Sequence, residues 1–267
     1  MLKKTLIALA LAAPLSAFAA VTTFSNVPAP LNGSKTFAFD QIQISGGNSK
    51  VVLTDANSDG LLNPGDTFSE TGLVAGVGFT DVNSNVLNDT GLNTTGGYQL
   101  FAVFNPLVGQ VIAGGAIAPG IFSYVVGFSA TSGFDLYYDT DLSAGLQGSM
   151  LIGKGTNGAG TCSVNSISQS GDCVLQFDFD DAGISAPGVF TQSGIDIGAL
   201  NASIRVDMNV DRITPTFFSP TYDVVGGTQE RFLDHNGSAS FVVPEPSSLA
   251  LLALGGLAGL IRRRKAV

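Results

Sequence analysis

Residues 204–211 read Ile204-Arg205-Val206-Asp207-Met208-Asn209-Val210-Asp211, with apolar and polar side chains in strict alternation. Successive side chains of an extended chain point to opposite faces, so this stretch has one apolar and one polar face, the pattern of a half-buried strand. A slip of one residue would turn the apolar set to solvent, so the pattern specifies a register as well as a strand. Cys173, Leu175, Phe177 and Phe179 alternate in the same way with Val174, Gln176, Asp178 and Asp180. Further strand candidates are residues 36–44, 50–53, 98–104, 121–129 and 221–225, with Gly46-Gly47-Asn48, Gly96-Gly97 and Gly226-Gly227 expected as turns between them. No long stretch of the body repeats apolar residues at helical spacing. Many short strands with glycine-rich turns predict an all-β fold, an antiparallel β-sandwich or jelly-roll-like body. Pro28 and Pro30 predict an edge strand or loose arm at its start.

Two segments flank this body. The first is MLKKTLIALALAAPLSAFAA, in which Lys3 and Lys4 precede an apolar stretch and Ala17 and Ala19 form a small-residue cleavage site. That is a secretory signal peptide, with a signal helix over residues 1–20. The last segment, residues 243–267, reads VPEPSSLALLALGGLAGLIRRRKAV. Its apolar run of 13 residues, 249–261, spans about 20 Å as a helix, short of the roughly 20 residues a comfortable span needs. Arg262, Arg263, Arg264 and Lys265 follow and stay cytoplasmic under the positive-inside rule, so the run reads as a transient transmembrane helix. Pro244 and Pro246 lack amide donors, so the Pro244-Glu245-Pro246 triplet predicts an extended segment just outside the membrane.

This tail resembles that of the PEP-CTERM proteins of Gram-negative bacteria, in Pro244, Glu245, Pro246, the short apolar helix and the basic group 262–265. The resemblance implies recognition by exosortase, a membrane-embedded cysteine transpeptidase that removes the helix. It further implies Sec export, transient insertion in the inner membrane, and delivery to the cell surface or extracellular matrix. It covers the tail alone and does not describe residues 21–242, read here as one domain; Asn236 to Ser240 are expected as a flexible lead into the tail.

Six of the twelve basic residues lie in the two flanking segments and all but one of the twenty-one acidic residues lie in the body, leaving it a formal charge of −14. Such a surface disfavours nucleic acid and anionic lipid, whose binding needs lysine and arginine, and suits divalent cations. Cys162 and Cys173, with ten residues between them in an exported chain, predict a structural disulfide worth about 3 kcal/mol.

The strongest chemical motif is Asp55-Ala56-Asn57-Ser58-Asp59-Gly60-Leu61-Leu62-Asn63-Pro64-Gly65-Asp66. It resembles the calcium loop of EF-hands and, with Asn63 and Asp66 at its ninth and twelfth positions, the dockerin version more closely. The resemblance implies Ca²⁺ held by Asp55, Asn57, Asp59, the Leu61 carbonyl, Asn63 and Asp66, with Gly60 making the sharp turn. It departs in its flanks, which read as strands, and in its second copy, since Asp81-Val82-Asn83-Ser84-Asn85 lacks the glycine.

Gly153-Lys154-Gly155-Thr156-Asn157-Gly158 satisfies a dinucleotide-loop pattern, but no helix pattern follows to present amides to a pyrophosphate, and a mobile hairpin loop is expected instead. The single histidine, His235, sits in Asp-His-Asn-Gly and reads as a surface turn. Carboxylates at 178, 180 and 181, or at 135, 139 and 141, suit glycoside hydrolysis only if two face one sugar, and solvated turns are the expectation. The five tyrosines, Tyr98, Tyr124, Tyr137, Tyr138 and Tyr222, are the candidates for stacking on sugar. The sequence therefore points to a non-enzymatic surface or matrix protein of biofilm or floc, in contact with extracellular polysaccharide. A carbohydrate-binding module is the second reading and an extracellular hydrolase the third.

Overall fold

The computed structural model describes residues 21–25, 35–118, 121–140, 148–165, 170–213, 221–223 and 225–243. The signal peptide, Pro28, Pro30 and the tail beyond Val243 lie outside them. Among the described residues fourteen strands follow one another: β1 (Thr22–Ser25), β2 (Thr36–Phe39), β3 (Gln41–Thr54), β4 (Thr67–Thr80), β5 (Gln99–Phe104), β6 (Leu107–Ala118) and β7 (Ile121–Phe128). After them come β8 (Phe134–Asp139), β9 (Met150–Asn165), β10 (Ser170–Asp180), β11 (Phe190–Gln192), β12 (Ile195–Asp196), β13 (Ser203–Ile213) and β14 (Thr228–Val242), with one 3-10 turn at Gly198–Leu200.

All strand pairings between these elements are antiparallel. Ten strands form one sheet in the order β10-β13-β14-β3-β4-β5-β8-β9-β7-β6, and the further pairings β10–β9 and β4–β6 close it on itself. The closure forks at β4, whose Leu73–Gly76 half pairs with β5 and whose Thr67–Glu70 half pairs with β6. The all-β antiparallel class is as expected and the arrangement is consistent with a sandwich, here with its two sides joined through shared strands. Ile204, Met208 and Val210 of β13 and Cys173, Leu175, Phe177 and Phe179 of β10 are buried, so both alternations face the core as read.

A second sheet, β12-β11-β1-β2, lies over an aromatic cluster. Phe24 of β1 is fully buried, stacks on Tyr98 at 5.1 Å and meets Phe79 and Phe190 at 5.5 and 5.7 Å. Phe241, near the end of β14, packs on Phe179 and Phe190 at 5.3 and 4.8 Å. Offset and edge-to-face pairs of this kind add about 0.5–1.5 kcal/mol each beyond the area they bury.

Three local expectations are corrected. Gly46-Gly47-Asn48 is not a turn but lies within β3, where the register against β4 shifts between Ser45 and Asn48. Gly47 is glycine because a Cβ there would lie 2.5 Å from Val74 Cγ1, so it marks a bulge and a close approach rather than a chain reversal. Asn236 to Ser240 are not a flexible lead but part of β14, laddered to β13 on one side and to β3 on the other. Among the described residues of 221–225 there is no strand; Thr221 makes a single bridge to Leu61.

Candidate functional site

The loop 55–66 joins β3 to β4, whose ends pair at Thr54 and Thr67, so the motif is set between strands, as its flanks indicate. Its first and last acids are the buried ones, Asp55 at 3 % and Asp66 at 0 % exposure, while Asn57 and Asp59 are exposed. Asp55 Oδ1 accepts the N–H of Asp59, and its Oδ2 accepts those of Gly60 and Gly226 at 2.9 and 2.7 Å. Burial opposes ionisation of Asp55, but the N–H groups of Gly226, Gly60, Asp59 and Ser58 outweigh it and hold the carboxyl below its ordinary value of 3.8. Gly60 has φ +77°, the left-handed turn that glycine adopts without steric cost.

Asp66 Oδ1 accepts the Ala56 N–H at 2.9 Å, and its Oδ2 accepts the Asn63 N–H at 3.0 Å and the Tyr222 hydroxyl at 3.2 Å. Burial first, and then the Asp66 charge, push the Tyr222 phenol well above its ordinary value. Behind it the Arg231 guanidinium is buried to 1 % exposure and bonds Gln229 Oε1 at 2.8 Å. Burial lowers Arg231 to about 10, against the opposing pull of Tyr222, Tyr124 and Asp223. Tyr124 is pushed up to about 12, chiefly by burial.

The middle of the loop converges on Asp59. Asn63 Nδ2 donates to Asp59 Oδ2 at 2.6 Å, and Asn57 Nδ2 donates to Asp59 Oδ2 and Asn63 Oδ1 at 3.1 and 2.9 Å. Among the described residues no group of three histidine, cysteine or acidic side chains is arranged to hold a metal, and the trio that meets here contains one carboxylate and two amides. The donor set nonetheless fits calcium in kind: amide ends exchange nitrogen for oxygen by a half-turn, and Asp55 Oδ1 and Asp66 Oδ1 each accept one N–H and keep a second lone-pair direction. The loop also docks on residues 221–227, through Gly226 to Asp55, Tyr222 to Asp66, the Tyr222 N–H to the Gly60 carbonyl and the Asp55 N–H to the Gly227 carbonyl. Sequence reading missed this second half, because the two segments lie more than 150 positions apart. The partial copy at Asp81 is an exposed Asx turn, its Oδ1 accepting the N–H groups of Asn83 and Asn85 at 2.8 Å.

Cys162 and Cys173 are joined in a disulfide and face each other across β9 and β10. His235 overturns its surface-turn reading: it is 1 % exposed inside β14, with Nε2 at 2.6 Å from Glu70 Oε1 and 2.8 Å from Ser49 Oγ. Ser49 Oγ donates to the same Glu70 oxygen at 2.6 Å, and Ser49 and Glu70 are themselves buried. Residues 153–158 lie within β9 rather than in a hairpin loop. A Cβ at Gly153 or Gly155 would meet the Phe179 or Phe134 ring at 2.4 or 2.2 Å, so these glycines are seats for aromatic rings. Of the acidic groups, Asp181 meets Asp196; burial first, then the hydrogen bond to Asp196, raise its pKa, and the Asp180 charge adds to the rise. Asp139 is buried and accepts from Gln99 Nε2 at 3.2 Å, and Asp141 lies outside the described residues.

At the other end of β14, Val242 pairs with Ser203 and Val243 is 3 % exposed, so the sorting segment departs directly from a central strand. A body of this kind followed by such a tail defines an exported protein sorted at the membrane. Residues 242–265 match the family model of the PEP-CTERM protein-sorting motif, so the chain is an exosortase-sorted extracellular protein. Nothing matches the chain among curated proteins or among solved structures. Among the described residues no helix is long and apolar enough to cross a membrane, and residues 249–261 lie outside them.

Proposed function

We propose that the protein is a non-enzymatic structural component of an extracellular matrix of the biofilm or floc type, with one Ca²⁺ at the β3–β4 loop stabilising its body. The loop carries this reading: Asp55 and Asp66 are buried and ionisable, Asn57, Asp59 and Asn63 converge above them, and Gly60 turns the chain sharply. Calcium supplies the positive charge that a shell of carboxylate, amide and carbonyl oxygens surrounds. Asp55, Asn57, Asp59, the Leu61 carbonyl, Asn63 and Asp66 would hold the ion, Asp55 and Asp66 being the buried members of the set. Because Asp55 and Asp66 also bind residues 222 and 226, an ion there fixes the entry to β14 as well as the loop.

The sealed position of Ser49, Glu70 and His235 supports a non-enzymatic role, since no substrate carbonyl reaches a serine at 3 % exposure without opening the core. A polysaccharide partner remains part of the proposal, but four of the five tyrosines are buried, leaving Tyr137, stacked on Phe101 at 5.4 Å, as the ring nearest to a sugar platform. Thermal melts of the exported protein in calcium, in magnesium and in chelator test the reading. Calcium at a hundredfold excess over its dissociation constant adds about 2.7 kcal/mol to folding. Identical melting in all three, or a calcium shift that survives Asp55→Ala, refutes it.

A further inference from the structure

We propose that two copies of this chain associate through the exposed edge of β6, strand against strand. Along one edge β6 is laddered to β7 from Gly109 to Ala118. Along the other it pairs with β4 only through Leu107–Gln110, and Val111 exchanges bonds with Gly65 and Asp66. Beyond Val111, among the described residues, no strand pairs with that second edge. An edge of this kind presents backbone donors and acceptors, and proteins that must stay monomeric guard it with lysine, internal proline, bulges or cover. Neither lysine nor proline occurs in β6; Ile112 is 46 % exposed, and Ala113 and Gly114 are exposed beside it. The edge is bent by register shifts between Val111 and Ala113 and between Ala116 and Ala118, with Gly114 at φ +113°, and the Ile112 side chain lies over Gly127. Next to the edge lies a groove of 590 Å³ lined by Phe68, Val108, Ile112, Gly127 and Phe128.

Charge decides the occupant. The body carries −14, yet residues 90–134 contain no Asp, Glu, Lys, Arg or His. Two acidic bodies repel each other least where such an uncharged stretch meets its own copy, and side chains without charge offer little to a charged partner or a lipid headgroup. Antiparallel pairing of β6 with β6 about a two-fold axis is self-complementary, and the small side chains at 113–115 let the strands close. A new pairing there places each Ile112 near the partner's groove.

The experiment is the mass of the exported protein, purified from producing cells, by light scattering over a concentration series. The expected result is twice the chain mass, falling to the single-chain mass in Ile112→Lys and Ala113→Lys, with Val174→Lys, an equally exposed apolar site on β10, keeping the dimer. Melting curves separate loss of association from loss of fold. Ala113→Cys gives a second reading, because abutting edges form a reducible cross-linked dimer. A single-chain mass throughout, an unchanged mass in both lysine variants, or absence of the cross-link overturns the proposal. Binding to neutral lipid vesicles that both lysine variants abolish, with the protein itself monomeric, overturns the second-copy assignment in favour of a membrane.

Discussion

His235→Ala should be among the most damaging single changes in the body, although it touches no surface. Glu70 is 4 % exposed, and one of its oxygens takes both the His235 ring nitrogen at 2.6 Å and the Ser49 hydroxyl at 2.6 Å. The opposite ring nitrogen, Nδ1, is buried without a hydrogen-bond partner. A proton on Nδ1 would be an unsatisfied buried donor, so the proton belongs on Nε2, where it points at Glu70. Removing the imidazole strips the carboxyl of one of its two donors and opens a void beside Phe104, whose ring lies 5.9 Å from that of His235. Leaving a buried group without one of its hydrogen-bond partners costs about 1–3 kcal/mol. For a body of this size that lowers Tm by roughly 2–12 °C, at about 2–4 °C per kcal/mol. Urea unfolding of the wild type, His235→Ala, His235→Leu, Glu70→Leu and the double leucine variant measures it. The double variant should lose less than the two single losses together, since replacing both partners removes the stranded group as well as the bond. Losses that simply add, or a cost below about 1 kcal/mol for His235→Ala, refute the argument.

Gly155→Ala should destabilise by about 1–3 kcal/mol, the usual range for overpacking, because its new methyl group meets the Phe134 ring; a compensating Phe134→Leu should recover part of that loss in the same melts. Reduction of the Cys162–Cys173 disulfide should cost about 3 kcal/mol, and thiol labelling of unfolded, unreduced protein should find no free cysteine. The Asp55 carboxyl is held below 3.8 in the folded state, so its contribution is fully present above that value and is lost as pH falls through the lower folded value. Asp55→Asn should therefore flatten the acid limb of the stability profile below about pH 4, and a variant with an unchanged acid limb would show that other carboxyls set it.

How far the sequence carries depends on whether a feature is local. The alternations at 173–180 and 204–210 need only the pleat of one strand, and both apolar faces come out as read. The strand flanks of the loop 55–66 are legible for the same reason. Glycine misleads because it serves two purposes: at Gly226 it makes a turn at φ +70°, whereas at Gly47, Gly153 and Gly155 it makes room for a neighbouring side chain. Nothing in a dipeptide tells the two apart when the neighbour, such as Phe179 over Gly153, comes from another strand. His235 fails as a surface residue because its partner Glu70 stands 165 positions away, and Asp-His-Asn-Gly has turn composition wherever it lies. The acidic residue that meets Asp181 is equally remote from a local reading, since Asp196 comes from the far side of β11.

The position of β14 ties these parts together. Its first residues follow the 221–227 segment held by Asp55 and Asp66, its middle carries Arg231 and His235 into the interior, and Phe241 joins the aromatic cluster. The sorting motif begins at residue 242, inside the same strand, with Val243 still buried. Loss of everything after Pro246 therefore takes no described core residue, whereas loss from Ser240 onward takes Phe241 and Val243 together. Exosortase can remove the tail and leave the described core whole only if it acts beyond Val243, the last described core residue, which precedes the Pro244-Glu245-Pro246 triplet in sequence. Neither proline can donate to a ladder, which fits a strand that ends at Val242. The last buried side chain among the described residues and the first residue of the sorting triplet are therefore neighbours in the chain.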